Sequence, residues 1–411
     1  MIGALFKNSA WILLSQTIIK GISFAYTIFL AGKLGVDGFG LYSVALAYFS
    51  LFASFSDIGL SRYLIREGAK DHNELNRLLT TTILLRLVLV LILLFGALIL
   101  LRNFDPDPFR LHLSMLAMLA VIPQAIALTF DGALIAIQKI KLSSLGVLLL
   151  SLLTTALGFY FVNNGYGETG ALSALIVAEI LYAIIMCYLL IKSGVHFPYT
   201  HGLFHNLKNI FLGSIPYGIL GVMGLIYFKV DTLLLSYLRG SYETGLYSAA
   251  YRFLEALVFI PSAVATAAFP VLSRLHEVDN SQVKKIYLSS VKALGGLSII
   301  ITLGYIFLLP YLITYFLPEY QDSVQVIQIL ALTIPFMFIH VPAAVVLLTS
   351  DKFLKPVIIL SLLTVGFNVI ANLLLIPTYG IYAAAWITVA SEILSFTVFF
   401  LLLYKRLLRH A

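Results

Sequence analysis

Charged residues are scarce in this chain, and their scarcity excludes a water-soluble globular protein. Only 11% of the 411 residues are Asp, Glu, Lys or Arg, whereas 61% are hydrophobic and the mean hydropathy is +1.00. A soluble core of this size needs a charged outer shell, which so few charges cannot form. Most of the surface must therefore contact lipid.

Several features that carry enzymatic chemistry are also missing. The one cysteine, Cys187, allows no internal disulfide and does not reveal the redox compartment. The sequence has no Walker A motif, so ATP hydrolysis by this chain is not expected. The longest predicted outer segments, 231–243 and 311–322, are too short to carry the catalytic groups of a glycan polymerase or ligase. We therefore expect a protein that is neither an enzyme nor a cofactor carrier.

Long apolar runs fill the remaining sequence. A membrane-spanning helix needs about 20 apolar residues to cross about 30 Å of hydrocarbon. The sequence predicts an all-α polytopic membrane protein with about twelve such spans, at residues 9–32, 39–60, 78–101, 111–136, 142–162, 171–191, 208–229, 244–270, 286–309, 323–349, 355–376 and 381–404.

The basic residues are divided unevenly between the two sides of the predicted membrane. With both termini in the cytoplasm, the inner segments hold seventeen Lys and Arg residues and the outer segments hold four: Lys33, Arg102, Arg110 and Arg239. This is a strong positive-inside bias. It predicts a multi-pass protein of the cell membrane with both termini cytoplasmic. The charges are scattered over short segments, which argues against nucleic acid as a partner.

The two halves of the chain share a sequence pattern, which predicts an internal duplication. The repeated pieces are residues 40–45 and 245–250, Ile122-Pro123 and Ile334-Pro335, Tyr166-Gly167 and Tyr379-Gly380, and Glu179-Ile180-Leu181 and Glu392-Ile393-Leu394. Six spans per half make the repeats parallel. We expect an N-terminal six-helix bundle over 1–195, a cytoplasmic linker over 196–207 and a C-terminal six-helix bundle over 208–411, with a central cavity between the bundles.

Four basic residues fall inside the predicted spans, where a charge usually faces a cavity or a partner. They are Lys20, Arg86, Arg252 and Lys292. Together they would attract an anion such as a diphosphate, which arginine can bind through two parallel hydrogen bonds. The cavity is favoured for Lys20 and Arg86, because no opposite charge lies at helical spacing from either. We predict these four residues as the substrate-binding set.

Three glutamates in the spans have two open interpretations. Glu179, Glu255 and Glu392 would carry a coupling ion if they face the cavity. Alternatively, Glu255 pairs with Arg252 three residues earlier on the same helix face, and Glu179 and Glu392 form packing hydrogen bonds that the duplication repeats.

Other polar residues point to structure rather than chemistry. Asn368 and Asn372 lie four residues apart in the eleventh span and are expected to form interhelical hydrogen bonds. His201 and His205 have the spacing of a metal-binding pair, with His196 nearby. No cysteine or acidic ligand lies close to them, so no metal site is expected.

Motifs along nearly the whole chain resemble the polysaccharide flippases of the Wzx type. They include 231–235, 245–252, Ile260-Pro261, 269–273 and the stretch from Asn368 through 376–385, and the N-terminal stretch from Asn8-Ser9 through 34–42 is similar too. The resemblance implies membership in the multidrug/oligosaccharidyl-lipid/polysaccharide exporter superfamily, whose members place two six-helix bundles around a cavity. It implies a flippase that moves polyprenyl-diphosphate-linked oligosaccharide to the outer leaflet by alternating access, with membrane lipid around it and a glycan polymerase or glycosyltransferase as partner.

A cation-coupled multidrug exporter of the same superfamily is the alternative. A site for organic cations would use acidic and aromatic residues, and the three glutamates keep this interpretation open. If the cationic set binds the substrate, neutralising Arg86 or Arg252 should reduce glycan export while the protein stays inserted and folded.

Overall fold

The fold is helical throughout the part of the chain that the computed structural model describes, which is residues 2–195, 203–275, 280–349 and 351–404. Within those ranges the structure contains no strand. The α-helices are α1 (Ile2–Asp57), α2 (Leu60–Gly68), α3 (His72–Phe104), α4 (Pro108–Leu119), α5 (Val121–Ala136), α6 (Ile140–Phe161), α7 (Gly167–Lys192), α8 (Leu203–Arg239), α9 (Ser241–Leu257), α10 (Phe259–Leu275), α11 (Asn280–Leu303), α12 (Leu309–Phe316), α13 (Ser323–Ala331), α14 (Thr333–Leu348) and α15 (Asp351–Leu403).

These helices account for all twelve predicted membrane crossings. Nine segments of the described residues are long and apolar enough to cross a bilayer. Three of them, of 43, 53 and 52 residues, each supply two crossings, because a rise of 1.5 Å per residue makes them far longer than a bilayer is thick. The prediction of an all-α polytopic membrane protein is confirmed.

Glycines in the left-handed region divide the long segments into pairs of crossings. Gly35 has φ 68° and ψ −179° within α1, Gly167 has φ 51° and ψ −139° at the start of α7, and Gly380 has φ 56° and ψ −136° within α15. A side chain at such φ values meets steric strain that glycine avoids. The chain can therefore reverse at these points without a long loop.

The same glycine turns carry a structural sign of the duplication. Gly167 and Gly380, at equivalent positions of the repeat, have almost the same backbone conformation. In the first half, Glu168 lies against Gly38. In the second half, the position that matches Gly38 is Glu243, and it lies against Gly380. In each half, therefore, one glutamate contacts a glycine near the start of another crossing. The glutamate belongs to α7 in the first half and to α9 in the second half.

The chain divides into two compact units, residues 1–229 and 230–411. The first unit has a buried core that includes Leu64, Leu79, Ala133, Tyr182 and Met186. The core of the second unit includes Leu272, Tyr287, Val346, Leu347 and Phe399. The predicted division into six-helix bundles at 196–207 stays a prediction. Residues 196–202 lie outside the described part of the chain.

The seventh crossing is longer than the sequence predicted. Its helix, α8, runs to Arg239 instead of ending at residue 229, so most of the predicted outer segment 231–243 is helical. The first part of α8 belongs to the first unit, where Gly218 packs directly against the backbone of Ile58 and Gly59. The greater length of α8 matters for function, because Asp231 lies in a membrane-spanning helix and not in the predicted outer loop.

Outward-facing side chains match a lipid environment. On α3, Leu91, Ile92 and Phe95 are 61%, 63% and 67% exposed. A contiguous apolar face of this kind would drive aggregation in water but is the normal surface of a protein in a bilayer.

Candidate functional site

Arg86 is the centre of a buried polar network in the first unit. Its side chain is 1% exposed and forms an ion pair with Asp57 at the end of α1. The guanidinium also donates to Thr129 Oγ1 at 2.8 Å, to the carbonyl oxygen of Ala125 at 3.1 Å and to Ser61 Oγ at 2.5 Å. Arg86 thus ties together α1, α2, α3 and α5.

This network changes the interpretation of Arg86 and Asp57. No opposite charge lies at helical spacing from Arg86 along its own helix, but Asp57 on α1 supplies one. Asp57 is the last residue of α1, and its ion-pair partner is Arg86 on α3. Removing Asp57 would leave the buried Arg86 guanidinium without a counter-charge, and removing Arg86 would leave Asp57, which is 27% exposed, without its ion-pair partner. An Arg86 variant that loses transport and remains well folded is therefore not what this geometry predicts.

Arg252 and Glu255 form the ion pair that the sequence offered as one of two alternatives. Arg252 Nη1 donates to Glu255 Oε2 at 2.9 Å, and both side chains are partly buried on α9. Lys20 and Lys292 differ, because both side chains are exposed. Among the residues that the structure describes, neither lysine forms an ion pair. The role of these four cations in substrate binding stays a prediction.

Glu179 lines a cavity inside the first unit. Its side chain is 2% exposed, and one carboxylate oxygen accepts a hydrogen bond from Gln124 Nε2 at 3.4 Å. The second oxygen has no hydrogen-bond partner in the described structure, and the same is true of the hydroxyls of Tyr26 and Ser151. All three residues line a cavity of about 220 Å³. Water or a small cation in this cavity would satisfy them.

Glu392 occupies the equivalent position in the second unit. It is 7% exposed, and one of its oxygens lies 3.2 Å from His340 Nδ1 on α14. The imidazole ring stacks on Phe399 at 5.8 Å between ring centroids. The two halves therefore share one arrangement, in which the glutamate of the last crossing of a half faces a polar side chain of the fourth crossing of that half. Glu179 faces Gln124, and Glu392 faces His340.

Asp231 forms a second buried cluster, which the sequence analysis missed. Its carboxylate is 2% exposed and accepts hydrogen bonds from Tyr247 Oη at 2.8 Å, Thr388 Oγ1 at 3.1 Å and Asn372 Nδ2 at 2.9 Å. Asn368 donates to Ser391 Oγ at 3.3 Å. The expected interhelical hydrogen bonds of Asn368 and Asn372 are confirmed. The signal that could have located Asp231 was the unbroken helical pattern of residues 221–239.

The Asp231 cluster has unusual electrostatics. All three of its hydrogen-bond donors are neutral, and none of the described residues forms an ion pair with Asp231. A buried carboxylate without a cation is costly unless it is protonated or binds a positive ion. Oxygen ligands suit hard cations, and the side-chain oxygen of Asn372 has no hydrogen-bond partner in the described structure.

Transition-metal binding finds no support in the described residues, which contain no group of three His, Cys, Asp or Glu side chains able to hold a metal ion. His196, His201 and the side chain of His205 lie outside the described residues.

Twelve crossings and carboxylates buried within membrane-spanning helices are features of membrane transporters. A profile of the polysaccharide biosynthesis protein family matches residues 5–276, and a MatE profile matches residues 218–374. The chain belongs to the polysaccharide biosynthesis protein family, within the multidrug/oligosaccharidyl-lipid/polysaccharide exporter superfamily. It is a membrane transporter rather than an enzyme.

Individual relatives agree with this family. The chain is 26% identical over 296 residues to the "Putative O-antigen transporter" of Shigella flexneri, a match that covers 67% of this chain and 68% of that protein. It is 22% identical to the "Probable flippase AglR" of Haloferax volcanii, over 92% of this chain and 78% of that protein. Among solved structures, the inward closed conformation of the lipid II flippase MurJ superposes with a TM-score of 0.79 and 17% identity, covering 95% of this chain and 87% of that one.

Proposed function

We propose that this protein is a flippase that moves polyprenyl-diphosphate-linked oligosaccharide from the cytoplasmic to the outer leaflet by alternating access, for the synthesis of a surface polysaccharide. The observation that carries the proposal is the family profile, which matches residues 5–276. The names of two relatives support the proposal: the name of one gives O-antigen as the substrate, and the name of the other gives flippase as the activity.

The exposed lysines provide the positive charge that a diphosphate needs. Lys20 and Lys292 are exposed and form no ion pair among the described residues. In a membrane such charges are stable where they face water or an anion. Arg86 and Arg252 are already paired, so they contribute to binding only if their pairs open. We therefore rank the two lysines first within the predicted substrate-binding set.

Buried carboxylates provide the means for coupling transport to an ion gradient. Asp231 and Glu179 each lack a positive partner among the described residues, and each is almost fully buried. Binding and release of a proton or a monovalent cation at such a carboxylate changes its charge and therefore biases a conformational equilibrium. Asp231 ranks above Glu179, because three side chains from other crossings converge on its carboxylate.

The orientation follows from the charge bias. Both termini lie in the cytoplasm, since seventeen basic residues then fall on the inner side and four on the outer side. The protein resides in the cell membrane. The substrate is made by glycosyltransferases and used by a glycan polymerase, which are the partner classes expected for such a flippase.

A multidrug exporter is the second candidate, and the MatE profile over residues 218–374 favours it. Drugs that are organic cations would bind the acidic residues and not the lysines. The two functions therefore predict opposite effects of lysine neutralisation.

The test uses purified protein in vesicles that contain a fluorescent polyprenyl-diphosphate sugar. We expect protein-dependent exchange of the label between leaflets, measured with a membrane-impermeant quencher. In a separate assay, expression of the protein in a drug-sensitive host should give no protection from cationic drugs. Drug resistance without leaflet exchange, across several glycans, would establish the exporter instead.

A further inference from the structure

An apolar groove runs along the surface of the second unit between the two crossings of α15. It has a volume of about 530 Å³. One row of its lining comes from the eleventh crossing at a spacing of four residues: Phe367, Ala371, Leu375 and Tyr379. The twelfth crossing supplies Tyr382, Ala383, Trp386, Ile387 and Ala390.

The shape of the groove follows from the sizes of these residues. Ala383 and Ile387 are buried at 6% and 4% exposure and form the floor, whereas Tyr379, Tyr382 and Trp386 are 62%, 38% and 53% exposed and form the rim. Aromatic residues at a membrane interface are common as belts. A belt explains Tyr379 and Tyr382 beside the Gly380 turn, but it does not explain an aromatic-rimmed depression that continues inward along the helix.

The length of the groove matches one leaflet. Tyr379 is twelve positions after Phe367, which corresponds to about 18 Å along a helix. Half of the hydrocarbon layer of a bilayer is about 15 Å thick. The Tyr379 end lies at the Gly380 turn, and therefore at a membrane interface. A single hydrocarbon chain entering from that interface would fill the groove to the middle of the membrane.

A fixed arginine lies at the interfacial end. Arg239 Nη1 donates to the carbonyl oxygen of Pro377 at 3.5 Å, and its Nε donates to Glu243 Oε1 at 2.7 Å. The side chain is 37% exposed. With the contact of Nη2 to Glu243, these interactions use three of the five N–H donors of arginine. The other donors remain available for a phosphate, the group that arginine recognises best.

We propose that this groove binds the polyprenyl chain of the lipid-linked substrate within one leaflet, with Arg239 at its phosphate. The inference rests on the proposed function, which supplies the occupant. A methyl-branched, unsaturated chain offers flat segments to the aromatic rim and methyl groups to the alanine floor. The ion pair with Glu243 already balances the charge of Arg239, so a phosphate at the chain terminus would be held by the two N–H donors of Arg239 that remain unused.

The experiment uses Trp386 as a reporter inside the groove. The protein has two tryptophans, so the Trp11→Phe variant leaves Trp386 alone. In vesicles of phosphatidylcholine with brominated acyl chains, bulk lipid quenches Trp386. Added polyprenyl monophosphate should displace the brominated lipid and restore emission at least twofold, and Arg239→Gln should raise the required concentration about tenfold, or 1.4 kcal/mol.

Two controls separate the groove from the general lipid surface. Tyr311 is 76% exposed and lies outside the groove, so a Trp11→Phe, Trp386→Phe, Tyr311→Trp variant should show no such recovery. A saturated alkyl phosphate of similar length should restore little emission from Trp386. Equal recovery with the alkyl phosphate, equal recovery at position 311, or no effect of Arg239→Gln would each overturn the proposal.

Recovery of Trp386 emission reports occupancy of the groove, and it is measured separately from leaflet exchange. Leaflet exchange by the Trp11→Phe protein without groove occupancy would refute the groove and leave the flippase standing. Groove occupancy without leaflet exchange of any lipid-linked glycan would refute the flippase instead.

Discussion

Glu243 of α9 accepts a hydrogen bond from the main-chain amide of Ile381, with 3.2 Å between Oε2 and the nitrogen. The bond joins the start of the eighth crossing to the Gly380 turn that separates the last two crossings. Glu243 is itself held by Arg239 at 2.7 Å. The Glu243 carboxylate thus accepts hydrogen bonds from both the main-chain amide of Ile381 and the side chain of Arg239.

The Gly380 turn should tolerate no side chain. A Cβ atom at position 380 would collide with Glu243, and φ is +56°. We expect Gly380→Ala to destabilise the protein by at least about 1 kcal/mol, because both the strain and the collision oppose the native turn. Thermal unfolding in detergent measures this. Gly366→Ala in the same helix is the matched control, since nothing lies within 4 Å of that position and its stability should not fall.

The Arg86–Asp57 pair should act in folding. Arg86→Ala leaves Asp57, which is 27% exposed, without its ion-pair partner and should lower the free energy of unfolding by about 1–3 kcal/mol. A double-mutant cycle with Arg86→Leu and Asp57→Leu should show that the double variant loses less stability than the two single losses added together. An Arg86→Ala protein that melts like the wild type and yet fails to transport would instead restore Arg86 to the substrate site.

Lys20 and Lys292 should matter for transport and not for stability. Both are exposed, so Lys20→Ala or Lys292→Ala removes a charge without leaving a cavity. We expect at least a fivefold fall in leaflet exchange of the diphosphate-linked sugar, with unchanged melting. Lys355→Ala, also at an exposed position but near the start of α15, serves as the control. Equal effects at all three positions would show a general charge effect rather than a substrate site.

Asp231 should control coupling to an ion gradient. Asp231→Asn keeps the size of the side chain but removes the charge that a proton or cation would neutralise. We expect the variant to fold and to lose at least tenfold of the stimulation by an imposed proton or sodium gradient. Glu319→Gln, an exposed carboxylate, should leave the stimulation intact. Full stimulation of Asp231→Asn would exclude this carboxylate as the coupling site, and separate Glu179→Gln measurements would then test the first unit.

Residues that are local in sequence were predicted well, and residues that meet across helices were not. The twelve spans followed from apolar runs, and the Arg252–Glu255 pair was one of two alternatives because both residues lie on one helix turn. The Arg86–Asp57 pair joins residues 29 positions apart, and helical spacing carries no information about it. Asp231 was missed for a different reason: the predicted seventh span ended before it.

The amino-acid sequence by itself determined that this chain is an all-α membrane protein with about twelve crossings, because hydropathy depends only on composition along the chain and on the thickness of the bilayer. Only the tertiary structure decided which buried charges are paired and which carboxylates are left with neutral partners. Each such distinction depends on side chains from different helices meeting within hydrogen-bond distance, as Asp231 meets Tyr247, Asn372 and Thr388.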